Sequence, residues 1–223
     1  MGDVNEATPE AKVILFYRYT EIPNITDEAS TQRALCDQLH LSGRVLLSSA
    51  EGANGTLAGK EQDLQKYIEY MKAHPRFKMA DSDFKTSLSE DPKPFPDLNI
   101  KIVQEIINTG GKFLKDVPIG ETGKGYLTPE EWHAEMEKYQ NDESAKQNTV
   151  LVDVRNHKEC QIGGFDGAID PKTRTFAEMP SWLDNHAKEL EGKKVLMYCT
   201  GGIRCEKVTA YVEEKFGTKF SGT

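Results

Sequence analysis

Cys199 stands where an apolar run meets two glycines and an arginine. Lys194 to Tyr198 (KVLMY) is followed by Cys199-Thr200-Gly201-Gly202-Ile203-Arg204. The run reads as a buried strand, and the pattern after it predicts a helix from about Cys205 to Phe216. A strand, a glycine-containing loop and a helix together make an anion site. Backbone N–H groups at the helix start point into the loop, and the helix dipole favours negative charge there. A cysteine at the head of such a loop has its thiolate stabilised, so its pKa is expected to fall below the free value of about 8.5. Gly201 and Gly202 let the backbone close around a small anion, and Arg204 adds a charge that cannot be titrated away. The chemistry is that of a nucleophilic thiolate that can also carry a terminal sulfur as a persulfide. A buried structural thiol at a strand end is the competing reading. The coincidence of strand, glycines, arginine and helix argues against it.

The other cysteines read differently. Cys205 falls on the first turn of the helix, where it could serve as a resolving thiol but fits packing better. Cys36 lies beside Leu35 on an amphipathic stretch and reads as packing, and Cys160 stands in a polar, loop-like stretch. Asp153 and Arg155 flank Val154 at a strand end, and alternation puts both on one face. They could orient the active loop or bind substrate, and a structural ion pair at the sheet rim explains them equally well. No CxxC pair is present and no two histidines have metal-ligand spacing, so no metal site is expected.

The elements that must hold these residues fall into two groups. In the second half, Thr128 reads as an N-cap with Pro129 in the first helical position and Glu131 completing a capping box. Thr149 to Val154 (TVLVDV) is a nearly continuous apolar strand of the kind found in parallel sheets covered on both faces. Phe176 to Leu190 reads as a helix interrupted near Pro180. In the first half, Val13 to Tyr19 is a strand, Asp27 to His40 a helix capped by Asp27 or Thr26 and ended by Gly43, and Arg44 to Ser48 a buried strand. A turn at Glu51 to Gly55 leads into Thr56 to Ala58, and Lys60 to Ala73 is a second helix. Lys78 to Ser87 and Asn99 to Ile107 are further strands. The order β-α-β-β-α-β is that of a ferredoxin-like domain. The expected organisation is a ferredoxin-like domain over 1–109, a linker over 110–125 and a second domain over 126–223.

Arg18 lies between Tyr17 and Tyr19 on the first strand, so the tyrosines share one face and Arg18 takes the other. An exposed sheet bearing aromatics and arginine can stack nucleotides; a half-buried strand with one polar face explains the same pattern. Arg18, Arg44 and Asn54 are the candidate RNA-binding residues. Asn54 sits in Glu51-Gly52-Ala53-Asn54-Gly55-Thr56, which is either a tight turn or a ligand-facing loop. The formal net charge of −8 argues against a dedicated nucleic-acid binder, though it leaves room for a local basic groove. The acidic N-terminus is neither a signal nor a transit peptide, and no run approaches the roughly 20 apolar residues of a membrane span. The sequence reads as a soluble, cytoplasmic protein.

Taken together, these motifs resemble the rhodanese-domain family of tRNA uridine hydroxylases. In the first half the resemblance is carried by Gly43-Arg44-Val45-Leu46-Leu47, Glu51 to Thr56 and Glu105-Ile106-Ile107. In the second it is carried by Tyr126 to Trp132, Val152-Asp153-Val154-Arg155-Asn156, Gly167 to Pro171 and, most specifically, Tyr198 to Lys207. It implies an α+β ferredoxin-like N-terminal domain followed by an α/β rhodanese-like domain with a parallel sheet. It also implies Cys199 as the essential, persulfide-forming cysteine and a tRNA substrate whose wobble uridine becomes 5-hydroxyuridine. Dioxygen is the implied co-substrate, no other cofactor is evident, and a sulfur-carrier or redox partner is a candidate. The chain departs from the family at Glu159-Cys160, where an acidic residue and an aromatic are usual, and at Asp170, where Asn is usual. Gly217 to Thr223 stops where a rhodanese domain normally returns to its sheet, so a C-terminally shortened domain with an open sheet edge is expected. Two other functions fit the same residues: a plain sulfurtransferase carrying persulfide on Cys199, and a non-catalytic RNA- or protein-binding module.

Overall fold

The apolar run beginning near Val13 extends to nine residues as β1 (Ala11–Tyr19) in the computed structural model, which describes residues 11–111 and 126–216. The chain divides into two units, with the break between Ile106 and Ile107.

In the first unit β1 is followed by α1 (Ile25–Gln38), β2 (Ser42–Ser48), β3 (Gly52–Gly59), α2 (Glu61–Ala73), β4 (Lys85–Ser89) and β5 (Leu98–Ile102). The strand order is β4-β1-β3-β2-β5. The first four strands are antiparallel neighbours in the ferredoxin-like arrangement, and β5 extends the edge by pairing parallel to β2. Alternation sends Ile14, Phe16, Val45, Leu47 and Leu57 to one face, where they pack with Leu64, Tyr67 and Met71 of α2 and Cys36 of α1.

Several boundaries differ from the sequence expectation, each for a local reason. Helix α1 begins two residues early, with Asn24 rather than Thr26 or Asp27 as N-cap, and makes no side-chain cap bond. Gly43 does not end α1. His40 makes that turn with a φ of 52°, and Gly43 lies within β2, where a Cβ would collide with the Thr56 carbonyl. Gly52 to Gly55 belong to β3 rather than to a turn. The strand expected over Lys78 to Ser87 is cut to Lys85–Ser89 because Asp81–Asp83 forms a 3-10 turn. There Asp83 Oδ2 accepts from Ala80 N at 2.8 Å and from Arg18 Nη2 at 2.5 Å. Asn99 to Ile107 shortens likewise, because side chains capture the backbone after β5. Ser48 Oγ donates to Gln104 O (2.7 Å), Ile106 N to Glu51 Oε2 (2.8 Å) and Asn54 Nδ2 to Ile106 O (2.9 Å).

The second unit contains α3 (Pro129–Asn141), α4 (Glu143–Asn148), β6 (Thr149–Asp153), α5 (His157–Cys160), α6 (Met179–Leu190), β7 (Lys194–Tyr198) and α7 (Ile203–Phe216). The capping box forms: Thr128 Oγ1 accepts from Glu131 N at 3.3 Å and Glu131 Oε2 accepts from Thr128 N at 2.8 Å. Helix α4 is unforeseen; Asp142 caps it through Ser144 N and Ala145 N. The helical stretch expected from Phe176 changes character near Pro180: Phe176–Glu178 is a 3-10 turn, and α6 follows with Pro180 in its first turn, where the missing N–H costs nothing. Strands β6 and β7 pair in parallel from Thr149↔Lys194 to Asp153↔Tyr198. One face of this pair (Val152, Val195, Met197) packs on α6 and α7 through Met179, Leu183, Val208 and Val212. The other (Leu151, Leu196) packs on Met136 and Tyr139 of α3. Two covered faces account for the unbroken apolar character of both strands. Most of the expected linker, residues 112–125, and the terminal segment Gly217 to Thr223 lie outside the described residues. No helix among the described residues is long and apolar enough to cross a membrane.

Candidate active site

The buried strand β7 delivers Cys199 at its carboxyl end, and α7 opens four residues later at Ile203. Gly202 turns the chain between them with a φ of 95°, a conformation other residues rarely hold. That turn aims the Gly202 N–H at Cys199 Sγ, 3.1 Å away. The first turn of α7 brings Cys205 onto the same sulfur, and both cysteines pack against the α6–α7 core.

The Cys199 thiol is held well below its ordinary value. The largest contribution is the hydrogen bond from the Cys205 thiol; burial opposes ionisation, and the Cys205 N–H, the Arg204 charge and the Gly201 N–H outweigh it. Cys205 is pushed up correspondingly, by its bond to Cys199 and by burial. Of the two thiols, the surroundings favour Cys199 as the one that gives up its proton. The other thiols move the opposite way: burial, with Asp37 adding to it, raises Cys36 to about 12, and burial beside Asp153 raises Cys160 to about 12.

Arg204 lends the expected charge to Cys199 and hydrogen-bonds it, and it has a second partner. It is gripped by Glu159 from the single-turn helix α5, with Nη1 to Oε2 at 2.7 Å and Nη2 to Oε1 at 2.8 Å, and also donates to Thr200 Oγ1 at 3.1 Å. Glu159 in turn accepts from Asn156 N at 2.9 Å. Arg204 holds the Glu159 carboxyl below its usual value against the opposing effect of burial. A bidentate guanidinium–carboxylate pair is strong and directional, so Arg204 ties the loop to α5 while lending part of its field to Cys199. Thr200, Gly201, Gly202, Ile203 and Arg204 are thus brought together around the sulfur, along with Cys205.

Asp153 and Arg155 are directed elsewhere. Arg155 Nε and Nη2 bind Asp153 Oδ1 and Oδ2 at 2.9 and 2.6 Å, and Nη2 reaches the Gly163 carbonyl at 2.5 Å. The guanidinium also lies 5.5 Å from the Tyr198 ring centroid. Tyr198 packs on the α3 side of the sheet and Cys199 on the α6–α7 side, so this ion pair and the reactive sulfur occupy opposite faces. Burial would raise Asp153, but the Arg155 and Tyr198 hydrogen bonds bring it below its usual value.

The three RNA candidates do not share one surface. Arg18 lies on the helix-covered face of the first sheet, bound to Asp83. Arg44 is exposed on the opposite face, and Asn54 shares that face while holding the Ile106 carbonyl. Among the described residues no group of three or more His, Cys, Asp or Glu is placed to hold a metal ion.

The sequence marks Glu159 only through the Glu159-Cys160 pair, a departure expected to leave the cysteine loop untouched; the structure instead sets Glu159 against Arg204 of that loop. Asn156-x-x-Glu159 has the spacing of a helix-start capping box, and that is the signal that would have marked α5.

These features define a cysteine site in a strand–loop–helix turn on a parallel β/α unit, preceded by a separate ferredoxin-like domain. Residues 11–106 match the family described as UPF0176 acylphosphatase like domain, so the N-terminal unit carries the UPF0176 N-terminal domain. Curated relatives named tRNA uridine(34) hydroxylase align with about nine tenths of the chain. The protein of Brucella anthropi is 37% identical over 201 residues, 90% of this chain and 61% of its own. That of Staphylococcus epidermidis is 39% identical over 207 residues, 92% of this chain and 60% of its own. That of Bacillus cytotoxicus is 37% identical over 202 residues, 90% of this chain and 58% of its own. The chain therefore spans about three fifths of the length of these relatives.

Proposed function

We propose that the chain acts on tRNA as a uridine-34 hydroxylase, with its second unit a rhodanese-like domain and Cys199 the reacting thiolate. The observation that supports this reading is the geometry at the head of the loop, where the Gly202 N–H is aimed at Cys199 Sγ from 3.1 Å and the Cys205 thiol lowers the pKa of the same sulfur. The similarity to proteins named tRNA uridine(34) hydroxylase supplies the substrate and the outcome. Dioxygen is the co-substrate: one oxygen atom enters the pyrimidine as a hydroxyl and the other leaves as water. That balance takes two electrons and two protons from a redox partner. The reaction takes place in the cytoplasm.

The test is nucleoside mass spectrometry of unmodified tRNA incubated with the protein and a thiol reductant, in air and without oxygen. The expected result is a gain of one oxygen at the wobble uridine, in air only, that Cys199→Ser abolishes. Sulfur incorporation instead would convert the reading to a sulfurtransferase carrying persulfide on Cys199. RNA binding without any Cys199-dependent product would leave a non-catalytic binding module.

A further inference from the structure

The helix-free face of the N-terminal sheet carries a charge pattern that the thiolate site does not use. The pairing registers fix which residues share it. One cross-strand row runs Lys85, Leu15, Thr56, Arg44; Lys101 lies one row further, level with Leu46, Asn54 and Tyr17, and there Asn54 holds the Ile106 carbonyl, so the backbone after β5 covers that end of the face. Lys85, Arg44 and Lys101 are exposed, and Leu15, Leu46, Thr56 and Tyr17 are half-buried. The strand positions of this face hold three cations and no carboxylate. On the helix-covered side the two strand cations, Lys12 and Arg18, each grip a carboxylate, Glu61 and Asp83.

We propose that the part of this helix-free face bearing Lys85, Arg44 and Lys101 receives the RNA, laying a single-stranded or looped stretch across β4-β1-β3-β2-β5. The inference rests on the proposed RNA substrate and locates where that substrate is gripped. Strands spaced about 4.8 Å apart put Lys85 and Lys101 roughly 19 Å from each other on opposite edges. That span suits several consecutive phosphates held at the rims. Between the rims, the half-buried Tyr17 ring, set against Tyr19 with 5.8 Å between centroids, offers a face on which an unpaired base can stack, a mode that tolerates any base. The formal charge of the chain is −8, so a cationic face on an otherwise acidic molecule focuses a polyanion there and repels it elsewhere. Arg44 belongs to this surface and Arg18 does not.

The experiment measures binding of unmodified tRNA to the full chain by fluorescence anisotropy between 50 and 200 mM salt. The wild type is compared with Arg44→Gln/Lys85→Gln/Lys101→Gln and with a matched control, Lys66→Gln/Lys138→Gln/Lys146→Gln, which removes three exposed helix cations. Releasing counterions from three contacts with a single strand gives a log–log salt slope of about −2. Over this fourfold salt range the wild type should therefore lose roughly 20-fold more affinity than the triple variant. The control should follow the wild type, and thermal melts should show all three folded. Equal slopes for wild type and triple variant, or equal losses in variant and control, would overturn the proposal. So would the triple variant losing a protein partner while RNA binding is unchanged. If the triple variant hydroxylates and binds tRNA normally, this surface is wrong and the hydroxylase reading stands. If the face binds RNA but no oxygen is ever incorporated, the reverse holds.

Discussion

Replacing Cys205 by alanine isolates what keeps Cys199 ionised. In the native site Cys199 accepts from the Gly202 N–H at 3.1 Å, while the Cys205 thiol is the leading cause of its lowered pKa and Arg204 contributes less. Cys205→Ala removes the thiol donor and leaves the others in place. A hydrogen bond to a charged group contributes about 1.5–3 kcal/mol. At about 1.36 kcal/mol per decade, losing it lowers the thiolate population roughly 10- to 100-fold at pH values where the thiol is mainly protonated. Cys205→Ser keeps an O–H donor and should stay close to the wild type. The assay is the pH dependence of iodoacetamide alkylation, with the modified cysteine located by peptide mapping. The sign is fixed: in the wild type Cys199 is alkylated well below the ordinary thiol range, and in Cys205→Ala the profile moves to higher pH. Cys36 and Cys160, both raised by burial, remain slow throughout. An alanine variant that titrates with the wild type would refute the assignment of Cys205 as the principal donor.

Glu159→Gln should loosen the loop without removing the sulfur, because Arg204 then loses a bidentate carboxylate partner held at 2.7 and 2.8 Å. The expected cost is about 1–3 kcal/mol in thermal or denaturant unfolding of the second unit, with a fall in Cys199-dependent turnover. The smaller Glu159→Asp change should restore part of both. In the first unit, Gly55→Ala should destabilise by about 1–3 kcal/mol in urea unfolding, because the added Cβ would collide with Cζ of the buried Phe16. An unchanged midpoint would mean that Phe16 can shift aside.

The reactive loop was legible in the sequence because every part of it is local. An apolar strand, two glycines, an arginine and a helix follow one another within a few residues, and each carries its own physical signal. The same holds for the capping box at Thr128 and for the unbroken strands β6 and β7. What escaped was long-range or depended on competition. Glu159 reaches Arg204 across 45 positions, from a helix of four residues too short to show any periodicity. The strands expected at Lys78 to Ser87 and Asn99 to Ile107 have suitable composition. They stop where Asp83, Ser48, Glu51 and Asn54 offer the backbone better partners. Arg18 and Arg44 looked equivalent as strand arginines, and only the pairing register separates their faces.

The second partner of Arg204 has a chemical consequence. Its guanidinium hydrogen-bonds both Glu159 and Cys199, so its charge is shared between a carboxylate and the sulfur. The leading contribution to the acidity of Cys199 is the Cys205 thiol, and the Cys205 N–H, the Arg204 charge and the Gly201 N–H add to it. The turn at Gly202 and the start of α7 orient these donors, and Arg204 both ties the loop to α5 and supplies charge. Division of labour of this kind lets one position be rigid and the next reactive. Glu159 is answered by Arg204, and Cys199 is answered by the Cys205 thiol, the backbone N–H groups and the same guanidinium.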